Sequence, residues 1–344
     1  MTAAVGAAPP ARSSEDADLL RALADAGVVT GSDADWSVRR LSGGHSHVTW
    51  LVTGPAARWV VKVAQPDGPL APYDVEHEAA QMRLARAGGV PVPRVEAVVP
   101  SSSLGAPFFV MEHIAGEAPG PERIDTWLHE RGAEGAAVMR ALLEVLDTMA
   151  RIGGERAPDL DLPALYRRHV TGLADALAEA TRGTMPFPES VLLARDALVR
   201  HAEVLAAPAA LVHGDFRPGN VIISDSRVPR VHAVLDWERG MWGHPLHDLG
   251  YLRLPSMRRA GKVAGLVDDR TLETLWREVK GTDLDRRALG YLTILAIFTE
   301  LCGCLRALLN MGGRLSLLRV LPLIARHEHD LVTMLRRWLD GGVV

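Results

Sequence analysis

The sequence predicts an α+β chain with a small, β-rich N-terminal lobe and a larger, mainly helical C-terminal lobe. Three observations predict it. Short runs with strand character fall between residues 36 and 113, apolar residues recur at helical spacing over most of 134–344, and 344 residues suffice for a core in each lobe. The expected boundaries are a disordered tail at 1–14, an N-terminal lobe at 15–115 and a C-terminal lobe at 116–344.

The tail is small, polar and Pro-containing, and leucines at helical spacing mark a short amphipathic helix over 15–26. Strands are expected at 36–41, 47–53 and 58–63, the first two joined by Ser42-Gly43-Gly44. A helix over 75–87 is stopped by Gly88-Gly89, Pro91 and Pro93, and strands at 94–99 and 107–113 follow around a Ser/Gly loop. Helices are expected at 134–152, 164–180 and 189–205, brief strand-like runs at 210–212 and 231–235, and helices from Pro245 onward. A deep cleft between two such lobes is the expected ligand site.

Composition narrows the function. A formal net charge of -4 with 5% aromatic residues gives neither a basic field nor a stacking platform for nucleic acid. Cys302 and Cys304 sit two apart in a helical pattern and point to different faces, a poor disulfide or metal pair, which implies a reducing, cytoplasmic setting. The apolar stretch from Tyr291 to Met311 is broken by Glu300 and Arg306, so a core helix is expected there rather than a membrane span. Leu317, Leu318, Leu321, Ile324 and Leu331 are likewise expected in the core rather than on a partner surface.

The chemistry concentrates in Leu211-Val212-His213-Gly214-Asp215-Phe216-Arg217-Pro218-Gly219-Asn220. An Asp followed five positions later by Asn, on a loop leaving an apolar strand, has the spacing of a kinase catalytic loop. Asp215 suits the carboxylate that orients a hydroxyl and accepts its proton, and Asn220 suits an amide ligand for Mg²⁺. Asp236, at the end of another apolar run, suits the principal metal ligand, because Mg²⁺ takes few protein carboxylates beside phosphate oxygens. Asp248 is read as a structural acid that accepts backbone N–H groups and holds the catalytic loop. Lys62 lies in an apolar strand and needs a partner: Glu78 on the next helix, or its neighbour Glu76. Gly43-Gly44 with Ser46 suits backbone approach to phosphates, although a Gly-Gly between strands is also an ordinary hairpin.

His213-Gly214-Asp215-Phe216-Arg217-Pro218-Gly219-Asn220 and Leu235-Asp236-Trp237-Glu238 resemble the aminoglycoside phosphotransferase (phosphotransferase enzyme) family over roughly residues 41–252. The finer resemblance is to the branch related to the kinase-like domain fused to some acyl-CoA dehydrogenases. It rests on Leu41-Ser42-Gly43-Gly44, Val90-Pro91-Val92-Pro93, Phe109-Val110-Met111-Glu112 and Gly243-His244-Pro245-Leu246. The resemblance implies a protein-kinase-like bilobal fold, with ATP (or GTP) and Mg²⁺ bound and the γ-phosphoryl transferred to a small-molecule alcohol. The N-terminal lobe would bind the nucleotide, with the backbone of Glu112 and Ile114 at the adenine edge. One departure from that branch is His47, where Asn often follows the Ser of the Gly-rich turn.

Arg217 is expected either to stabilise charge at the reacting phosphate or to form a structural salt bridge. From Ser256 onward 14 Lys/Arg face 10 Asp/Glu, which favours a neutral, anionic or partly apolar acceptor, such as a hydroxyacyl thioester or a macrocycle, over a polycation. The expected partner is that acceptor, with no nucleic acid and no membrane, in a monomer or homodimer. Two alternatives stand beside this reading: a pseudokinase scaffold, and a metal-dependent hydrolase built on His213, Asp215, His232, Asp236, His244, His247 and Asp248.

Overall fold

A computed structural model describes residues 13–41, 47–55, 57–65, 73–120, 122–182, 187–224, 226, 228–258, 260–310 and 317–342. Gly43, Gly44 and Ser46 lie outside these residues. The chain forms two compact units, one of residues 1–79 and 94–113, the other of 80–93 and 114–344, so it passes between them three times.

The first unit begins with helix α1 (Ser14–Asp25). Ser13 and Ser14, expected in the tail, instead start it: the Ser13 hydroxyl accepts the Asp16 N–H, and the Asp16 carboxylate accepts the Ser13 N–H. Strands β1 (Ser37–Leu41), β2 (His47–Thr53), β3 (Arg58–Ala64), β4 (Val95–Val99) and β5 (Phe108–Glu112) form one antiparallel sheet in the order β1-β2-β3-β5-β4. Because strand side chains alternate, Trp50, Val52, Val61, Phe108 and Val110 turn to one face. There they bury Leu19, Leu20 and Leu23 of α1 together with Trp36, each large apolar side chain contributing on the order of 2 kcal/mol. The register Thr49↔Lys62↔Phe109 puts Lys62 on the opposite face. Helix α2 (Val75–Ala87) starts in this unit and is capped by Asp74, whose carboxylate accepts the N–H groups of Glu76 and His77.

The second unit holds helices α3 (Ile124–Arg131), α4 (Gly135–Arg156), α5 (Leu162–Thr181) and α6 (Glu189–His201), the last continued by one 3₁₀ turn. Four three- or four-residue strands follow: β6 (Ala210–Val212), β7 (Val221–Ile223), β8 (Val231–Val234) and β9 (Met241–Gly243). Strand β6 pairs with β9 and β7 with β8, both antiparallel. Helices α7 (His247–Leu252), α8 (Asp269–Lys280), α9 (Arg286–Asn310) and α10 (Leu317–Leu339) complete it. The sequence pattern reveals β6 and β8 but neither β7 nor β9, and it misses α3.

Helix α9 is apolar over most of its length and, by length and composition, long enough to cross a membrane. Its Tyr291, Leu292, Leu295, Phe298 and Leu301 are buried, with α5, α7 and α10 packed against it. Gly250 lets α7 approach α9 closely, since a Cβ there would stand 2.9 Å from the Leu292 carbonyl carbon. The expected core residues of α10 divide: Leu331 is buried, Ile324 is half-buried, and Leu321 is 46% exposed, which corrects its assignment to the core. Helical spacing defines an apolar face without saying how far a neighbour covers it. The side chains of Leu317 and Leu318 lie outside the described residues. Cys302 and Cys304 are free thiols, pushed up by burial to about 12 and about 11.

Candidate active site

In the second unit two loops run side by side because of how the short strands pair. One carries residues 213–220 from β6 to β7, and the other carries 235–240 from β8 to β9. The Leu235 N–H donates to the Asn220 carbonyl at 2.8 Å. His213 staples the loops from within. Its Nδ1 accepts the Asp215 N–H at 3.2 Å, so the neutral ring donates from Nε2 to the Leu235 carbonyl at 2.7 Å. The ring packs edge-on against Trp237, whose Nε1–H donates to the Val234 carbonyl.

Asp248, at the start of α7, fixes the same loop from below. Its Oδ2 accepts the His213 N–H at 2.8 Å and its Oδ1 the Gly214 N–H at 2.9 Å, the role expected from the sequence. Desolvation holds its carboxyl above the usual range, while the two N–H groups pull it down. Gly214 has φ +81, and a Cβ there would stand 2.5 Å from the Arg239 carbonyl oxygen. Only glycine fits both the left-handed backbone and this close approach.

These clamps present Asp215. The Asn220 Nδ2 donates to its carbonyl at 2.9 Å and to its Oδ2 at 3.0 Å, and Arg217 Nη2 lies 3.2 Å from Oδ2. Desolvation raises the Asp215 carboxyl to about 6, against the pull of Arg217 and Arg239, yet the side chain keeps 20% exposure. A carboxylate that is largely desolvated but still open suits proton transfer. Arg217 therefore forms an ion pair with Asp215.

The donor set also fits a divalent cation. With its amide nitrogen engaged by Asp215, Asn220 offers oxygen as its ligand atom. Asp236 sits at φ +69, a conformation that costs non-glycine residues about 1 kcal/mol or more. Its carboxylate and that of Glu238 have oxygens within 4.8 Å of each other, and hard oxygen donors in such number match Mg²⁺.

In the first unit, Lys62 and Glu78 are both buried, and Nζ lies 2.7 and 2.9 Å from the two Glu78 oxygens. Glu78 is thus the partner of Lys62, and Glu76 is an exposed residue of the capped first turn. The Glu112 N–H donates to the Arg94 carbonyl at 2.9 Å, and Ile114 begins the second unit two residues beyond.

The histidines of the hydrolase alternative are committed elsewhere. Both His213 nitrogens are engaged, His244 Nδ1 accepts the Leu246 N–H, and His247 Nδ1 pairs with the Tyr166 hydroxyl at 2.9 Å. His232 is exposed. Sequence reasoning missed Glu238, Arg239, Glu300 and Tyr73. Arg239 donates to Glu300 at 3.0 Å and to the Tyr251 hydroxyl at 3.2 Å. Desolvation opposes its charge, but Tyr251, Glu300 and Asp215 outweigh it and keep the guanidinium protonated. The available signal for Glu300 was a lone carboxylate inside an apolar helix. Tyr73, whose hydroxyl bonds Glu78, had none.

Residues 37–287 match the model of the Phosphotransferase enzyme family. Acyl-CoA dehydrogenase family member 11 of Gallus gallus is 30% identical over 228 residues, which cover 62% of this chain and 27% of that protein. The chain therefore spans little more than a quarter of that relative's length. Two solved structures share the fold. The GDP and kanamycin complex of APH(2'')-IIIa has a TM-score of 0.64 at 16% identity, covering 91% of this chain and 98% of the other. A thermostable mutant of aminoglycoside phosphotransferase APH(4)-Ia, in ternary complex with AMP-PNP and hygromycin B, has a TM-score of 0.61 at 17% identity, covering 93% and 98%. The fold is protein-kinase-like.

Proposed function

The chain belongs to the phosphotransferase enzyme family, and from that premise we propose that it transfers the γ-phosphoryl group of ATP, or of GTP, to a hydroxyl of a small molecule. The observation that carries the proposal is Asp215, desolvated yet open, held by Asn220 on a loop that Asp248 and His213 pin in place. Asp215 accepts the proton of the acceptor hydroxyl as its oxygen forms a bond to the γ-phosphorus. The bond from that phosphorus to the β–γ bridging oxygen breaks, and the nucleoside diphosphate leaves. Arg217 stabilises the charge that develops, and Lys62, braced by Glu78, steadies the phosphates. A backbone contact from Glu112 to adenine comes from its carbonyl, since its N–H donates to Arg94, and Ile114 supplies the N–H. Asn220, Asp236 and Glu238 would hold Mg²⁺, which when bound neutralises phosphate oxygens.

The acceptor we favour is neutral, anionic or partly apolar, a hydroxyacyl thioester or a macrocycle before a polycation. The +4 balance from Ser256 onward supports this choice. A coupled ADP-release assay with Mg-ATP tests the proposal across hydroxyacyl-CoAs, macrolides, aminoglycosides and amino alcohols, with Asp215→Asn as the control. Acceptor-dependent release that vanishes in the variant supports it. Release that survives in the variant removes Asp215 from the chemistry.

A further inference from the structure

We propose that Tyr73 and His47 are positioning residues for the Lys62–Glu78 pair, so that the phosphate-holding lysine is set by three side chains rather than by Glu78 alone. The inference rests on the reading that Lys62 holds nucleotide phosphates.

The argument starts from burial. Lys62 is 4% exposed and Glu78 fully buried, and two such charges keep their ionised forms only when further hydrogen bonds supplement their attraction. Lys62 Nζ lies within bonding distance of both Glu78 oxygens. An ammonium that spends its donors on one carboxylate has fewer to offer a phosphate. The Tyr73 hydroxyl donates to Glu78 Oε2 and so shares that oxygen with the lysine, lightening the demand on its donors. The Lys62 Nζ also stands 5.7 Å from the Tyr73 ring centroid and 5.8 Å from that of Phe109, a cation held over two aromatic faces.

Tyr73 is itself placed from two sides. It directly precedes Asp74, which caps α2, so its backbone is tied to the helix that carries Glu78. Its ring centroid lies 5.2 Å from that of His47. His47 is buried on β2, opposite Ala64, on the sheet face that also carries Thr49 and Lys62. The residue that departs from its sequence branch thus serves here as a ring support for the tyrosine that holds Glu78.

Two fluorescent probes separate this role from plain structural support: methylanthraniloyl-ATP with Mg²⁺, and the matching adenosine derivative without phosphates. Tyr73→Phe keeps the ring against His47 and removes only the hydroxyl. It is expected to weaken the ATP probe on the order of fivefold to tenfold while leaving the adenosine probe within about twofold. His47→Leu, which removes the ring support, is expected to show the same selectivity with a smaller loss. The inference is overturned if Tyr73→Phe binds the ATP probe like the wild type, or if both probes weaken in parallel. Wild-type protein that binds the ATP probe no better than the adenosine probe refutes the phosphate role of Lys62 itself, and the inference with it.

Discussion

Replacing Asp248 separates two demands that the structure places on one buried carboxylate. It is 2% exposed and accepts the N–H groups of His213 and Gly214 at 2.8 and 2.9 Å. Each hydrogen bond to a charged acceptor contributes about 1.5–3 kcal/mol, and a buried N–H left unsatisfied costs about 1–3 kcal/mol. Asp248→Asn keeps one oxygen but turns an NH₂ group toward the second N–H. It also relieves the desolvation that holds this carboxyl above its usual range. The two effects oppose each other, and the net expected loss is about 2 kcal/mol. Asp248→Ala abandons both N–H groups and opens a small cavity, so about 4 kcal/mol is expected. Urea denaturation with an unchanged m-value measures both losses. Because the loop carries Asp215, phosphoryl transfer in Asp248→Asn should fall at least about tenfold even where the protein is fully folded. Both variants matching the wild type to within about 0.5 kcal/mol would refute the clamp.

Three further outcomes follow from the same geometry. Gly214→Ala should cost about 2–4 kcal/mol in denaturation, because the new Cβ meets the Arg239 carbonyl oxygen at a left-handed φ; a loss below about 1 kcal/mol would contradict this. Lys62→Met should destabilise by about 3 kcal/mol by stranding the Glu78 carboxylate, and Lys62→Met/Glu78→Leu should recover most of it, as a double-mutant cycle would show. Burial lowers His244 to about 4 and His247 to about 3. The unfolded chain therefore binds protons first as pH falls below 6.5, and stability drops by about 2 kcal/mol per histidine at about pH 5; His247→Gln should reduce the drop between about pH 7.5 and 5 by about 2 kcal/mol when denaturation midpoints are compared.

Local chemistry was legible and long-range partnership was not. Asp215, Asn220 and Asp248 announce themselves because a carboxylate or amide on a loop between apolar runs has few uses other than ligation or capping. The Lys62–Glu78 pair was half-legible: an apolar strand requires a partner for its lysine, but spacing leaves Glu76 and Glu78 as rivals until the capped first turn of α2 exposes one and buries the other. Arg239 and Glu300 meet across 61 positions, and no periodicity encodes that contact. Strands β7 and β9 are too short for alternation to register, yet their pairing brings Asn220 beside Leu235. Leu321 shows the converse, an apolar position whose exposure depends on what its neighbours cover.

The most direct test of the central claim is mass spectrometry of the acceptor panel after incubation with Mg-ATP, using wild-type protein and Asp215→Asn side by side. The account predicts one acceptor class that gains a single phosphoryl group on a hydroxyl oxygen, and no gain with the variant. Nucleotide binding without any phosphorylated acceptor, or equal product from both proteins, would contradict it.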